Sequence, residues 1–344
     1  MQLYNKLSAE ERARIIDENS QERITLSFYK YFNLGNPSLF RDHLFISWSK
    51  IDVLGRIYVA NEGINAQLSV PKENIEKFKK SISEIKPLKD IRLNIALEHY
   101  SKSFLKLTIK IKEKIVADGL NENTFDVTKI GEHLDAERFN QMLEDKNTIC
   151  IDMRNHYESE IGFFKGAIKP DVDTFRESLE VIDRELEKNG KEKNYLMYCT
   201  GGIRCEKASA YLKHKGINNV FQLEGGIIEY TRQVNEKDLK NNFLGKNFVF
   251  DERRGERISD DVVSNCHQCG NPCDSHINCI NESCHLLFIQ CEDCREKMNS
   301  CCSIECMEII KLSYEEQKSL RKGKHNSNKI FKKGRSSKLK FKIN

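Results

Sequence analysis

The chain has 344 residues, of which 39% are hydrophobic and 31% charged, a composition typical of a globular protein with two or three domains. No apolar run approaches the ~20 residues that a helix needs to cross a bilayer, and the N-terminus lacks the basic segment and apolar core of a secretory signal. These features argue against a membrane or exported protein, so we expect no membrane partner and a cytoplasmic location.

Residues 1–117 are predicted to form a helix followed by a ferredoxin-like α+β domain. Ser8 is placed to cap a helix within residues 1–20, with Glu10 and Glu11 in its first turn. Apolar alternation predicts strands at 24–32, 55–60, 64–70, 93–97 and 105–111, and helical periodicity predicts helices at 36–48 and 71–85. This order is close to βαββαβ, the order of a ferredoxin-like fold, which by itself names no chemistry.

A linker rich in Asn, Gly and acidic residues is predicted at 118–126, and an α/β domain with a parallel sheet and flanking helices over 128–236. In this domain an apolar strand at 195–198 leads to Cys199, and a helix is expected from about Arg204. The loop between them holds Thr200, Gly201, Gly202 and Ile203. Backbone N–H groups and the positive end of the helix would stabilise a thiolate, the reactive form of cysteine. A cysteine packed at a strand end is the alternative, but the paired glycines and Arg204 favour a reactive Cys199.

Four separated motifs make residues 128–236 resemble the rhodanese domain. They are Asp152-x-Arg154 at a strand end, Gly166-Ala167, the loop from Cys199 to Arg204, and Gly225-Gly226 after a later strand. The resemblance implies that Cys199 carries a persulfide in a loop closed by Arg204. It also implies that Asp152 and Arg154 support the site, at the pocket mouth or by bracing the loop. Related phosphatases have a loop one residue longer, so this spacing disfavours phosphate chemistry.

Cys205 is close enough in sequence to Cys199 to resolve an oxidised form of it, although a packed helix cysteine is the favoured interpretation. Residues 237–262 are dense in charge and low in periodicity, and they are predicted to be a connector that lies across the body of the protein.

Ten of the thirteen cysteines lie between Cys266 and Cys306 and predict a metal-binding module over 263–308. One interleaved arrangement assigns Cys266, Cys269, Cys291 and Cys294 to a first ion, and Cys279, Cys284, Cys302 and Cys306 to a second. Cys273 and Cys301 are then spare, and His276 and His285 are substitute ligands. The spacing leaves this pairing open. Four sulfur ligands suit structural zinc, which we expect, and an iron–sulfur cluster is the alternative.

A basic tail is predicted over 309–344. Residues 311–344 hold twelve Lys and Arg and two Glu, a net charge of +10, so the rest of the chain carries −6. We expect RNA-phosphate contacts from Lys332, Lys333, Arg335, Lys338 and Lys340, with Phe331 and Phe341 placed to stack on bases. A solubilising tail is the alternative, and the neighbouring cysteine module favours RNA binding.

Particular strings extend the resemblance to nearly the whole chain: GRIYVANEGIN at 55–65, CTGGIRCEK at 199–207 and CHLLFIQC at 284–291. With the three-part organisation they resemble the bacterial rhodanese-domain tRNA uridine hydroxylases. The resemblance implies oxygen-dependent conversion of the wobble uridine of tRNA, U34, to 5-hydroxyuridine, with Cys199 as the essential cysteine. It implies O₂ as co-substrate and the anticodon loop as the partner, and unstacked loop bases suit sequence-specific RNA recognition.

The residues themselves name no oxygen-activating cofactor, since the chain has no Gly-x-Gly-x-x-Gly fingerprint. His133-Leu134-Asp135 has the spacing of part of an iron site, but it is predicted to lie in a short amphipathic helix as a surface histidine. Two other functions stay open: a sulfurtransferase that passes persulfide sulfur to an acceptor, and a non-catalytic RNA-binding protein.

Overall fold

The computed structural model describes residues 3, 5–120, 125–322 and 339. The chain divides into two compact units. The first comprises Met1–Ile149, Gly190–Lys240 and Phe250–Arg253, and the second Cys150–Asn189, Asn241–Val249 and Arg254–Asn344. Within the described part of the chain, every helix is too short or too polar to cross a bilayer.

The N-terminal part of the first unit begins with a capped helix. Its elements are α1 (Ala9–Glu18), β1 (Arg23–Tyr31), α2 (Pro37–Ser49), β2 (Leu54–Ala60), β3 (Gly63–Pro71), α3 (Ile75–Ser83), β4 (Asn94–Ile95) and β5 (Leu107–Ile111). The Ser8 hydroxyl accepts from Glu11 N–H, and the Glu11 carboxylate accepts from Ser8 N–H, so the predicted cap is a full capping box. Pro71 ends β3 instead of opening a helix, and a short 3₁₀ turn at Lys72–Asn74 precedes α3.

These strands form one sheet in the order β4-β1-β3-β2-β5. β1 pairs antiparallel with β3 and β4, β2 pairs antiparallel with β3, and β5 is added in parallel to β2. The first four strands therefore have the ferredoxin-like order, and that prediction is confirmed. The two helices bury residues four apart against the sheet, including Trp48 and Phe78, whose ring centroids lie 5.5 Å apart.

The central part of the chain alternates strands and helices. Its elements are β6 (Glu132–Leu134), α4 (Ala136–Glu144), β7 (Thr148–Asp152), α5 (His156–Ser159), β8 (Gly162–Phe164), α6 (Phe175–Asn189), β9 (Asn194–Tyr198), α7 (Ile203–His214), β10 (Val220–Leu223) and α8 (Gly226–Lys237). The main sheet has the order β6-β10-β9-β7, and β10 is parallel to both β6 and β9. The predicted parallel sheet with flanking helices is confirmed.

The segment His133-Leu134-Asp135 differs from its prediction. His133 and Leu134 lie in β6, paired with β10, and Asp135 caps α4 by accepting from Arg138 N–H. The helix therefore begins one residue after the segment, because Asp135 is a better N-cap than a helix-interior residue.

The remaining elements follow α8. They are β11 (Phe243–Asn247), β12 (Glu256–Arg257), β13 (His276–Asn278), β14 (Leu287–Ile289), α9 (Glu292–Lys297), α10 (Ile304–Ile310) and α11 (Tyr314–Arg321). In the second unit, β11 pairs antiparallel with β8 and with β12, and Phe243 is buried against Phe164. The connector predicted at 237–262 therefore contains regular structure that the sequence did not indicate, since Phe243 lies in β11 and Phe248 directly follows it.

Candidate active site and metal centres

The loop after β9 places hydrogen-bond donors around the Cys199 sulfur. Gly202 is the N-cap of α7 with φ +102°, and its N–H donates to Cys199 Sγ at 3.1 Å. That positive φ is open to glycine and strained for other residues, so Gly202 permits the turn that aims the N–H at the sulfur. Cys199 is itself fully buried.

The surroundings of Cys199 favour its thiolate. Burial alone raises the pKa of Cys199. The opposing effects are a hydrogen bond from Cys205, the charge of Arg204, and the backbone N–H groups of Arg204 and Gly202, and together they bring the pKa to about 6. The pKa of Cys205 is raised well above its ordinary value, by burial first and then by Cys199. At neutral pH the pair therefore holds one thiolate, on Cys199, and one thiol, on Cys205.

The Gly225-Gly226 motif lets α8 approach this loop closely. Ile227 N–H donates to the Cys199 carbonyl at 3.0 Å, and Ile228 N–H donates to the Thr200 carbonyl at 3.4 Å. A Cβ on Gly226 would lie 2.6 Å from both carbonyl oxygens, closer than real Cβ contacts permit. Gly226 is therefore required by this contact as well as by its φ of +68°.

A pocket of about 420 Å³ reaches the same loop at Gly201, within the first unit. Its walls include Tyr29, Arg92, Asn94, His133, Gly201 and Glu206. They come from the N-terminal sheet and the segment before β4, from β6, and from the Cys199 loop and α7, so the pocket combines residues far apart in sequence. Its volume lies in the range of small-molecule and nucleotide sites.

Glu206, on the first turn of α7, is the centre of a hydrogen-bond network at this pocket. The Tyr29 hydroxyl donates to Glu206 Oε1 at 2.9 Å, and His133 Nε2 lies 3.0 Å from the same oxygen. The Gln222 amide donates to Glu206 Oε2 at 3.3 Å and lies 2.8 Å from His133 Nε2. The carboxylate is thus held from three elements.

The next residue, Lys207, is a buried cation that ties α7 to the N-terminal part of the first unit. Its Nζ lies 3.0 Å from Glu62 and 2.8 Å from Asp118, and it donates to the Val116 carbonyl at 2.9 Å. Asp118 is buried, although the sequence predicts a linker that begins there. Tyr29, Glu206 and Lys207 were not predicted from the sequence as site residues, and His133 was interpreted there as a surface histidine. The one available signal was that Glu206 and Lys207 complete the string at 199–207.

Arg204 is 8% exposed, and its guanidinium lies 5.9 Å from the centroid of the Phe250 ring. Its charge acts on Cys199 while its side chain packs on an aromatic face. The turn between β9 and α7 is the strand-to-helix turn that the sequence predicts. It contains Thr200, Gly201 and Gly202, and α7 begins at Ile203.

Asp152 and Arg154 lie in the second unit, and both are fully buried. Arg154 contacts Asp152 through two nitrogens, with its Nη2 at 2.6 Å from Oδ2, and the same Nη2 donates to the Gly162 carbonyl at 2.7 Å. Of the two roles that the rhodanese resemblance leaves open, this burial speaks against the pocket mouth, and the contacts brace the start of β8.

Eight cysteines form two groups of four in the second unit. Cys266, Cys269, Cys291 and Cys294 form the first group, and Cys279, Cys284, Cys302 and Cys306 the second. These sets coincide with the interleaved arrangement. All sulfurs of a group lie within 4.8 Å of one another, so each group could hold a metal ion. Among the described residues, the groups contain neither the expected spare cysteines, Cys273 and Cys301, nor the suggested substitute ligands, His276 and His285.

The sulfur spacing tests how many metal atoms each group has room for. The pairs Cys269–Cys291, Cys284–Cys302 and Cys302–Cys306 have Sγ–Sγ distances of 3.6, 3.6 and 3.7 Å. A tetrahedron with metal–sulfur bonds of about 2.3 Å has edges of about 3.8 Å, so a single ion fits each group. Backbone N–H groups of Cys291 and Cys302 also donate to Cys266 and Cys279 sulfurs at 3.4 Å, an arrangement that stabilises thiolate ligands.

The residues predicted to bind RNA, Lys332, Lys333, Arg335, Lys338 and Lys340, lie outside the described residues, as do Phe331 and Phe341. Leu339 is described, and it is buried in a cluster with Ile277, Leu286 and Phe288.

Known sequence families match three consecutive parts of the chain. Residues 23–115 match the family described as UPF0176 acylphosphatase like domain, 135–233 the rhodanese-like domain, and 244–307 the rhodanase C-terminal family. A protein of Leptospira interrogans named tRNA uridine(34) hydroxylase is 54% identical over 334 residues, which cover 97% of this chain and 90% of that protein. The chain belongs to the tRNA uridine(34) hydroxylase family. The resemblance drawn from the motifs is thereby confirmed.

A second member of the family, from Photorhabdus laumondii, is 53% identical over 97% of this chain and 95% of its own length. A solved rhodanese-like domain protein from Staphylococcus aureus is 25% identical and covers 29% of this chain and 90% of its own, with a TM-score of 0.24, too low to add to the assignment. Because members of the family match along nearly the full chain, the acylphosphatase-like, rhodanese-like and cysteine-rich parts belong to one shared architecture.

Proposed function

We propose that this protein is an oxidoreductase that hydroxylates the wobble uridine of tRNA, U34, to 5-hydroxyuridine with O₂ as co-substrate. The observation that carries the proposal is the 54% identity, over 97% of the chain, to a protein named for that activity. The thiolate-stabilising loop beside a nucleotide-sized pocket supports it. The anticodon loop of tRNA is the partner that this activity requires, and the cytoplasm is where we place it.

In this proposal Cys199 is the reacting group. Its low pKa supplies a thiolate at neutral pH, and the loop N–H groups stabilise negative charge on the sulfur, on a persulfide or on an oxygen attached to it. Arg204 supplies the fixed positive charge. Asp152 and Arg154 support the domain through their buried pair. Since Cys199 is buried, the base would enter through the pocket at Gly201.

The test is mass spectrometry of tRNA nucleosides from a deletion strain that expresses single variants. The wild-type chain should restore 5-hydroxyuridine, and Cys199→Ser should not, because a hydroxyl with a far higher pKa cannot replace the thiolate. Cys205→Ser is the matched control: it keeps a hydrogen-bond donor beside Cys199 and should retain at least partial activity. Full 5-hydroxyuridine levels in the Cys199→Ser strain would refute the assignment.

Sulfur transfer is the second candidate, and the rhodanese-like match at 135–233 favours it. The same nucleoside spectra separate the two functions. A sulfur-bearing uridine that disappears in the deletion strain, with 5-hydroxyuridine unchanged, would make the protein a sulfurtransferase.

We further propose that each group of four cysteines binds one structural zinc ion. The all-sulfur donor sets and their 3.6–3.7 Å spacing support this, and zinc would hold together a module with few large apolar side chains. The basic tail, by its charge, is proposed to bind tRNA phosphates through Lys332, Lys333, Arg335, Lys338 and Lys340.

A further inference from the structure

The N-terminal sheet has a polar face whose cations the proposed function does not use. Helices α2 and α3 cover the other face, where Ile57 and Ile109 are buried in the core. Alternate residues of β2 and β5 point away from that core, and the register pairs Tyr58 with Lys110. Arg56 and Lys110 are exposed, and Tyr58 is partly exposed.

Lys112 adds a third cation to this face. It follows β5, and its Nζ lies 5.7 Å from the centroid of the Tyr58 ring. The set of Arg56, Tyr58, Lys110 and Lys112 is named the β2–β5 patch. In the part of the chain that the structure describes, none of the three cations has a carboxylate within ion-pair distance. The patch therefore presents three unpaired positive charges around one aromatic ring.

Other parts of the same face are already covered by the protein. The Tyr29 hydroxyl donates to Glu206, so α7 packs over β1. At the start of β2, Leu54 is buried with Ile16 of α1 and with Phe104. The β2–β5 patch is a part of the face that these contacts leave exposed.

The chemistry of the patch matches that of unpaired RNA. An exposed aromatic ring offers a stacking surface to a base, and cations beside it neutralise the neighbouring phosphates. RNA-recognition motifs stack bases on aromatic side chains of a four-stranded sheet in the same way. Lysines on an edge strand such as β5 also protect a sheet from pairing with another chain. Edge protection does not account for Arg56 and Tyr58, since β2 lies inside the sheet.

We propose that the β2–β5 patch binds unpaired nucleotides of the anticodon loop, with Tyr58 stacked on a base and the three cations on its neighbouring phosphates. The inference rests on the proposed function, which brings an anticodon loop to this protein. It adds the surface that holds the loop, and this surface lies outside the pocket at Gly201 and outside the basic tail.

The register relates the patch to that pocket. Tyr58 and Tyr29 are both paired with Asn65, so they lie in one row across the sheet, and Tyr29 lines the pocket. Their strands are two spacings apart, about 10 Å. Between them Asn65 donates to the Ile115 carbonyl at 3.4 Å, so the patch and the pocket are separate contacts. A uridine in the pocket has its neighbours in the loop within reach of the patch.

The experiment measures binding of tRNA and of the isolated anticodon stem-loop to the purified full chain, by fluorescence anisotropy at several salt concentrations. Arg56→Glu with Lys110→Glu should weaken binding by about tenfold or more. The slope of log affinity against log salt should fall by about 1.4, since each lost phosphate contact removes about 0.7. The matched control is Lys77→Glu with Lys80→Glu, two exposed lysines of α3 on the helix side of the sheet, and it should bind nearly as wild type.

Tyr58→Ala tests the stacking contact. Affinity for the stem-loop should fall about fivefold or more, the loss of one base–aromatic stack, and Tyr58→Phe should bind as wild type because it keeps the ring. Neither change should weaken binding of a fully paired RNA duplex, which offers no unpaired base. In the charge variants KM for tRNA should rise while kcat stays unchanged, because Cys199 and its loop are untouched.

Circular dichroism melting checks that each variant is folded. Should the glutamate pair not fold, Arg56→Gln with Lys110→Gln makes the same test with half the change in charge. Wild-type affinity and salt slope in the patch variants, or an equal loss in the α3 control, would overturn the inference and leave the lysines as protection of the sheet edge. A wild-type chain that binds the stem-loop through the patch but forms no 5-hydroxyuridine would refute the proposed function alone.

Discussion

At the scale of single residues, the chemistry of Cys199 depends on donors that outweigh its burial. A fully buried thiol would ordinarily stay protonated, and here Cys205, Arg204 and two backbone N–H groups reverse that. We predict that the ultraviolet thiolate absorbance of wild type minus that of Cys199→Ser titrates with a midpoint at about pH 6. In an Arg204→Gln background the midpoint should rise, because a stabilising charge is lost. A midpoint near the ordinary thiol value of 9 would contradict this account.

Glycine 226 gives a second prediction at this scale. Gly226→Ala adds a Cβ 2.6 Å from the carbonyl oxygens of Cys199 and Thr200, so the loop that they belong to must move. Gly216 also has a positive φ, +81°, but nothing lies within 4 Å of its Cβ position, so Gly216→Ala measures backbone strain alone. Strain at such a site costs about 1–2 kcal/mol. Scanning calorimetry should show a lower Tm for Gly226→Ala than for Gly216→Ala, and only the former should lose 5-hydroxyuridine formation. Equal effects of the two changes would mean that close packing at Gly226 is unimportant.

At the scale of elements, the C-terminal module is organised by its sulfurs more than by its short strands. β13 and β14 have three residues each, too little to fold alone, so we propose that metal ions bound by the two groups of cysteines supply the cross-links. We predict about two zinc ions per chain by elemental analysis, about one in Cys291→Ser, and about two in Cys273→Ser. The second variant is the matched control, because Cys273 belongs to neither group. Stoichiometric iron, or full zinc content in Cys291→Ser, would refute the assignment.

The elements also show where sequence patterns were sufficient and where they were not. The Ser8 cap and the turn at Cys199 were predictable, since caps and turns depend on local chemistry. β11 was missed because Gly245, with φ +86°, and a lysine interrupt its apolar pattern, and its partner β8 is about 80 residues earlier. His133 was assigned to a helix because a three-residue strand has too few positions to show alternation.

At the scale of the whole molecule, charge is divided unevenly along the chain. The net charge of +10 over residues 311–344 against −6 elsewhere predicts that a truncation after Lys322 weakens binding to all tRNAs similarly. It should also flatten the dependence of affinity on salt, because fewer counterions are released. Fluorescence anisotropy at several salt concentrations measures both effects, while turnover at saturating tRNA should change little. An unchanged salt slope would assign the tRNA surface to the folded domains.

The three-part organisation could be predicted from the sequence, but the contacts that complete the site could not. Lys207 meets Glu62 and Asp118, which are 145 and 89 residues away. Tyr29 meets Glu206 across 177 residues. A single sequence carries no signal for such pairs, since each side chain is ordinary in its own segment. The turn that stabilises a Cys199 thiolate was visible because it is local, and the pocket beside it was not.

The first turn of α7 limits how the loop can change in length. Glu206 faces the pocket, and Lys207 faces Glu62 and Asp118. Both side-chain directions depend on the residue at which α7 begins after β9. One inserted residue that the loop did not absorb would rotate everything after it by about 100° around the helix axis, from 3.6 residues per turn. Glu206, which contacts His133, and the buried Lys207 would then both be displaced. A loop one residue longer, of the phosphatase type, would therefore keep both contacts only where the loop itself absorbs the added residue before α7 begins.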